Sequence, residues 1–258
     1  MSRVVTREDH GPVAVVTIDR PEARNAVNAE AARALAAHVA AVEQDPRIRA
    51  VVLTGAGALA FCAGADLKEL AAGSAPGERS TAEGGFAGFV FARREKLWIA
   101  AVNGAAVAGG FELVLACDFA LAASHAVFAL PEVRRGMAAT AGGVWRLPRA
   151  IPRGMALEMI ATGESIGAHE ALRLGLVNRV VHPAHLLPEA LRVARLAARN
   201  APLAVRASLA LARRAADADE TALRAEAQAA ARQVMASADA REGARAFAEG
   251  REPRWRGA

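Results

Sequence analysis

The sequence predicts an α/β protein in which residues 1–183 interleave strands with helices and residues 184–258 are almost wholly helical. Three observations carry this expectation. Short apolar runs rich in β-branched residues recur between residues 12 and 181. Stretches with helical periodicity lie between them. From about residue 184 one helical pattern follows another with only short breaks.

PVAVVTIDRP (12–21) alternates and reads as a strand ending at Arg20-Pro21. Asn28 then caps AEAARALAAHVAAVEQD, which places Ala31, Leu35, Val39 and Val42 on one face, with Pro46 beyond its end. RAVVLTG (49–55) is a short buried strand, and IAAVNG (99–104) is another ending at Gly104. FALAAS (119–124), AVFALP (126–131) and LVNRVV (176–181) supply three more. AGSAPGERSTAEGGFAG (72–88) is rich in Gly and Ser and reads as a mobile surface loop bordering a pocket. LLPEALRVARLAARN, PLAVRASLALARRA, ETALRAEAQAAARQVMA and DAREGARAFAEG complete the chain as helices. The alternation implies largely parallel pairing in a core over 1–183, followed by a helical region over 184–258.

Composition excludes several classes. No apolar run free of charge reaches the roughly 18–20 residues of a membrane span. MSRVVTREDHGPVAVV has neither a signal-peptide apolar core nor a transit-peptide pattern, so a cytoplasmic setting is expected. The only cysteines, Cys62 and Cys117, make no disulfide framework and no metal knuckle. The six histidines form no zinc-like pair on a helix, and no metal is expected. The net charge of +5 is almost all arginine, Lys68 and Lys96 being the only lysines. The arginines are spread along the chain without a basic-aromatic motif, which favours a phosphate-bearing small molecule over nucleic acid.

Two glutamates stand out. Glu112 follows the Gly-Gly of NGAAVAGGFELVLACD (103–118), and Glu132 follows the proline of FALPEVRRG (128–136). A carboxylate in so apolar a setting is costly to bury unless it is paired or used. Two of them converging on one pocket can divide acid and base work. The small-residue segments nearby offer backbone donors: AFCAGAD the N–H of Ala63, and AVAGGFEL the N–H of Gly109 at a strand-to-helix passage. Two such donors hold a developing oxyanion. GAGALA (55–60) also fits a dinucleotide fingerprint. It does not open the first βαβ unit, no clear long helix follows it, and the chain lacks tyrosine.

IDRPEARNAVN (18–28), VVLTGAGALAFCAGADLKE (51–69), AAVNGAAVAGGFELVLACD (100–118), FALPEVRRG (128–136), AGGVWRLPR (141–149), EALRLGLVNRVV (170–181) and EGARAFAEGREPRW (242–255) together resemble the crotonase, or enoyl-CoA hydratase/isomerase, superfamily, in order and over nearly the whole chain. The resemblance implies a spiral ββα core, a helical C-terminal trimerisation region, and a homo-oligomer that is a trimer or a dimer of trimers. It implies an acyl-CoA thioester substrate, with no cofactor beyond the coenzyme A of the substrate. It implies an oxyanion hole of Ala63 and Gly109. It puts Glu112 and Glu132 on the two glutamates of true hydratases, Glu112 mainly as the base for water and Glu132 mainly as the C2 proton donor. By the same resemblance Arg24, Ala65, Asp66, Gly110, Thr140 and Trp255, with Arg256, are candidate substrate or coenzyme A contacts; Asp66 also fits a cap on the LKEL turn. Ala108 and Thr140 depart from the family, standing where glycine is common. The run from FALPE to NRVV is also similar to carnitinyl-CoA (crotonobetainyl-CoA) dehydratases, whose trimethylammonium acyl chain implies an aromatic cage. Here that cage falls to Phe86, Phe89, Phe91, Trp98 or Trp145. Double-bond isomerisation and non-catalytic coenzyme A binding are the other readings that the resemblance admits.

Overall fold

The alternating residues Val13–Ile18 form β2, the second strand of a six-stranded sheet, in the computed structural model, which describes residues 4–73 and 75–258. Its order is β1 (Val5–His10), β2, β3 (Ala50–Gly55), β7 (Leu97–Val102), β9 (Phe119–Ala123) and β12 (Arg179–Val181). β1 runs antiparallel to β2 and every other pairing in this sheet is parallel. All residues of β3 and β7 are buried, as parallel strands covered on both faces require. The sequence reading missed β1. Its VTREDH is mostly polar and shows no alternation, because it is an edge strand that meets water.

One face of the sheet packs on α1 (Ala29–Gln44), whose Ala31, Leu35, Val39 and Val42 join the main core as the periodicity requires. Asn28 Oδ1 accepts from the Ala31 N–H at 2.8 Å and starts the helix as expected. The other face is closed by α7 (Leu186–Ala198) through Leu186, Ala190, Leu191, Ala194 and Ala198. α7, which lies within the expected 184–258 helical region, thus packs into the core, and α8 (Pro202–Arg214), α9 (Glu220–Met235) and α10 (Ala238–Glu249) follow it.

A second, four-stranded sheet has the order β11 (Ile166–Gly167), β10 (Val127–Ala129), β8 (Ala105–Val107) and β4 (Ala60–Cys62). β4, β8 and β10 are parallel, so their carboxyl ends open at one edge. β4 leads through residues 63–66 into α2 (Leu67–Ala71), and β8 into α3 (Gly109–Ala116). β10 leads into a 3-10 turn, Pro131–Arg135. α4 (Gly143–Ala150) packs on α3, followed by α5 (Arg153–Thr162) and α6 (Ala168–Arg173). GAGALA turns directly from β3 into β4 with no helix, which removes the dinucleotide reading.

The segment 72–88 is not simply a surface loop, although Ser74 lies outside the described residues. β5 (Ser80–Thr81) and β6 (Gly85–Phe86) form a small hairpin, and Arg79 and Ala87 are buried. Its glycines permit this folding: a Cβ on Gly84 would stand 2.3 Å from the Gly88 carbonyl oxygen.

The turn from β8 to α3 carries strain. Ala108 sits at φ 53, ψ −128, a region that glycine occupies freely and alanine does not. The strain of about 1–3 kcal/mol exceeds the about 0.4–1 kcal/mol of chain entropy that a glycine adds to the unfolded state. Ala108→Gly is therefore expected to raise the thermal unfolding midpoint in calorimetry, and a lower midpoint contradicts this account of the turn.

Candidate active site

Parallel pairing brings the two glutamates together. Phe128 pairs with Ala106, Ala129 pairs with Val107, and the Ala108 N–H continues the register onto the Ala129 carbonyl at 2.9 Å. The strands thus end side by side. Glu112 follows in the first turn of α3 and Glu132 in the first turn of Pro131–Arg135. Both line a cavity of about 320 Å³ together with Ala63, Ala65, Phe86 and Gly109. Ligand sites of open α/β sheets lie beyond strand carboxyl ends for this reason.

Glu112 is 3% exposed and Glu132 is 8% exposed. Glu112 Oε1 accepts from the Gly143 N–H at the start of α4, at 2.9 Å. Glu132 Oε2 has no hydrogen-bond partner among the described residues. Burial is the main cause that pushes the Glu112 carboxyl up to about 7, with the Glu132 charge adding to it, while the Gly143 N–H and the Arg146 guanidinium oppose it. Burial also raises Glu132, with Arg135 opposing. Burial thus favours the protonated form of both carboxyls, and the Glu132 charge couples to the titration of Glu112.

The oxyanion donors require one correction. The Ala63 N–H donates to the Arg24 carbonyl at 3.1 Å, so it is not free for a ligand. Two residues on, the backbone pairs with Val27 through the Gly64 carbonyl and the Asp66 N–H. Successive N–H groups of an extended chain point to opposite sides. The Ala65 N–H therefore faces away from Val27, has no acceptor among the described residues, and belongs to a residue that lines the cavity. Gly109, the first residue of α3, likewise donates to nothing among the described residues. Ala65 and Gly109 are the available pair. The alternation of N–H directions could have found Ala65, but only with the Val27 bridge known.

The other expected contacts divide. Thr140 lines the cavity. Arg24 leaves its side chain exposed and ties its carbonyl to Ala63. Asp66 is spent within the fold: it pairs with Arg20 at 3.0 Å and caps α2 through the Lys68 N–H at 3.2 Å. Gly110 does not line the cavity. It allows α3 to approach β4, since a Cβ there would stand 1.9 Å from the Cys62 oxygen. Trp255 donates its indole N–H to the Arg199 carbonyl at 2.7 Å, and the Arg256 N–H rests on Asp239 at 2.7 Å, so the tail folds on its own chain. Of the five aromatics expected to form a cage, only Phe86 lines the cavity. Phe89 and Trp98 pack edge-on in the core at 5.1 Å, and Phe91 stacks on Trp145 at 6.1 Å on the exposed side. Two residues of the cavity that sequence reasoning missed are Arg79 and Arg135.

Known proteins share this architecture. The profile described as enoyl-CoA hydratase/isomerase matches residues 8–258. A carnitinyl-CoA dehydratase of Salmonella arizonae is 43% identical, with all of both chains covered. The crystal structure of an enoyl-CoA hydratase from Mycobacterium tuberculosis superposes with a TM-score of 0.94 at 40% identity over the full length of both. A carnitinyl-CoA hydratase from Mycobacterium avium gives 0.77 at 43% identity, again over both full lengths.

The raised Glu112 carboxyl carries a stability signature. Its folded value, about 7, lies above the ordinary 4.5, so the folded state binds the proton more tightly. The contribution is complete below about 4.5 and is lost as pH rises through about 7. Glu112→Gln, which keeps an acceptor for Gly143, is expected to be more stable than the parent at pH 8 by on the order of 2 kcal/mol, with the gap closing near pH 4. Denaturant unfolding at both pH values checks this, and a variant no more stable at pH 8 contradicts it.

Proposed function

The chain belongs to the enoyl-CoA hydratase/isomerase family, and from that premise we propose that it adds water reversibly across the double bond of a 2-enoyl-CoA thioester. The observation that carries the reading is the pair of buried glutamates beside two unengaged backbone donors in one cavity. The thioester oxygen accepts from the Ala65 and Gly109 N–H groups, which draw negative charge onto it and leave C3 open to attack. Gly143 holds Glu112 in place as the carboxylate that takes a proton from the attacking water. Glu132, whose Oε2 has no donor among the described residues, carries the proton delivered to C2. The oxygen of water ends on C3, one proton ends on C2, and the pair of carboxyls returns to its starting proton count. Free thiols at Cys62 and Cys117 agree with a reducing, cytoplasmic setting.

The names of the close relatives favour a second reading, dehydration of carnitinyl-CoA. It uses the same two glutamates and donors. Its cation needs an aromatic enclosure, and Phe86 is the only aromatic residue lining the cavity among the described residues.

α8 and α9 bury no residue fully, and Met235 and Phe247 are exposed. A surface of this kind supports assembly into a trimer or a dimer of trimers. Light scattering at micromolar concentration should report one of these, and a clean monomer contradicts it.

Glu112→Gln and Glu132→Gln are each expected to lower hydration of crotonyl-CoA, followed at the loss of enone absorbance, by about 10²–10⁴-fold. The double variant should be little worse than either single one, since the two groups act as a unit. In deuterated water the product should carry deuterium at C2. A Glu112→Gln enzyme that isomerises 3-enoyl-CoA at full rate, from a parent that barely hydrates, overturns the hydratase reading in favour of an isomerase.

A further inference from the structure

Arg79 is the one group in the cavity whose placement the hydration chemistry leaves unexplained. It ends the 3-10 turn Pro76–Arg79 and is 3% exposed. Nη2 reaches the Ala75 carbonyl at a long 3.3 Å. Nη1 is fully buried and has no hydrogen-bond partner among the described residues. No carboxylate forms an ion pair with it among those residues, although most of the charged side chains nearby in sequence are solvent-facing. A guanidinium cannot escape burial by losing its proton. A buried charge with a donor left over is strongly unfavourable unless something completes it.

The position of Arg79 says what is missing. It lines the same cavity as Glu112 and Glu132. Its carbonyl accepts from the Ala87 N–H at 2.8 Å, and the neighbouring Phe86 ring lies over Gly109, where a Cβ would stand 2.5 Å from the ring. The hairpin therefore holds Arg79 on the cavity lining together with Phe86, which packs over Gly109. Arg135 adds a second cation and Ser80 a hydroxyl on the same lining. The two acids of the cavity are engaged in catalysis. A planar anion with two acceptor oxygens satisfies such a guanidinium best.

We propose that the acyl chain of the substrate carries a carboxylate, bound by Arg79, so that the physiological substrate is the mono-coenzyme A thioester of an unsaturated dicarboxylic acid. This rests on the hydratase reading and narrows it. The same two cations repel a trimethylammonium chain, which sets this chain apart from relatives named for carnitinyl-CoA. The other source of such an anion is a phosphate of coenzyme A, and the test separates the two.

The test compares hydration of glutaconyl-CoA with that of 2-pentenoyl-CoA, which has the same chain length without the terminal carboxylate. The parent should prefer the carboxylated substrate in kcat/KM by about 10²-fold or more, because a site built around a polar group rejects the analogue that lacks it. Arg79→Met should collapse that ratio by a similar factor, mostly through KM, and Arg79→Lys should restore part of it. The preference should persist with the N-acetylcysteamine thioesters of the same two acids, which have no phosphate. An Arg79→Met loss that is equal for both coenzyme A thioesters and vanishes with the N-acetylcysteamine thioesters assigns Arg79 to coenzyme A and overturns the proposal. So does a parent that hydrates 2-pentenoyl-CoA as well as glutaconyl-CoA, a result that leaves the hydratase reading standing. A parent that hydrates neither overturns both.

Discussion

Two carboxyl groups must be held out of water on the lining of one cavity. That constraint organises the molecule. A carboxylate in such a place favours its protonated form, and here burial raises both Glu112 and Glu132. The fold meets the constraint by parallel pairing: β8 and β10 end together, so the first turns that follow them deliver both side chains to the same space. The Gly143 N–H at the start of α4 then fixes one carboxyl, while Oε2 of the other has no hydrogen-bond partner among the described residues. That asymmetry distinguishes two chemically identical side chains in one cavity, as the proposed division of acid and base work requires.

Close backbone approach is the second consequence. α3 can start beside β4 only because Gly110 has no Cβ to meet the Cys62 oxygen. Residues 63–66 are held by Arg24 and Val27, and the buried Asn25 ties that segment to β4 through the Ala60 carbonyl at 2.8 Å. These bonds consume the Ala63 N–H and leave the one on Ala65. The proposed oxyanion donors are therefore what remains after the scaffold has satisfied its own backbone.

Much of this was legible in the sequence. The alternation of β2, the Asn28 cap and the four terminal helices follow from local periodicity and capping chemistry, which act within a few residues. Glu112, Glu132 and Gly109 were legible because each stands in a local setting that disagrees with its chemistry. What was not legible depends on distant partners. Ala63 and Ala65 look alike until the Arg24 and Val27 contacts distinguish them. α7 reads like the helices after it, and only the sheet beneath it makes it core. Arg79 sits in a Gly/Ser-rich run that resembles solvent-exposed loop, and nothing local indicates that its guanidinium is enclosed.

Burial raises both glutamates, and the Glu132 charge adds to the shift of Glu112. Carbon-13 NMR of the glutamate side-chain carboxyls, assigned with Glu112→Gln and Glu132→Gln, reads this directly. The structure predicts a Glu112 midpoint near 7 that falls when Glu132 is replaced, and a Glu132 midpoint above the ordinary 4.5. Two independent titrations near 4.5, each indifferent to the other, would contradict the account.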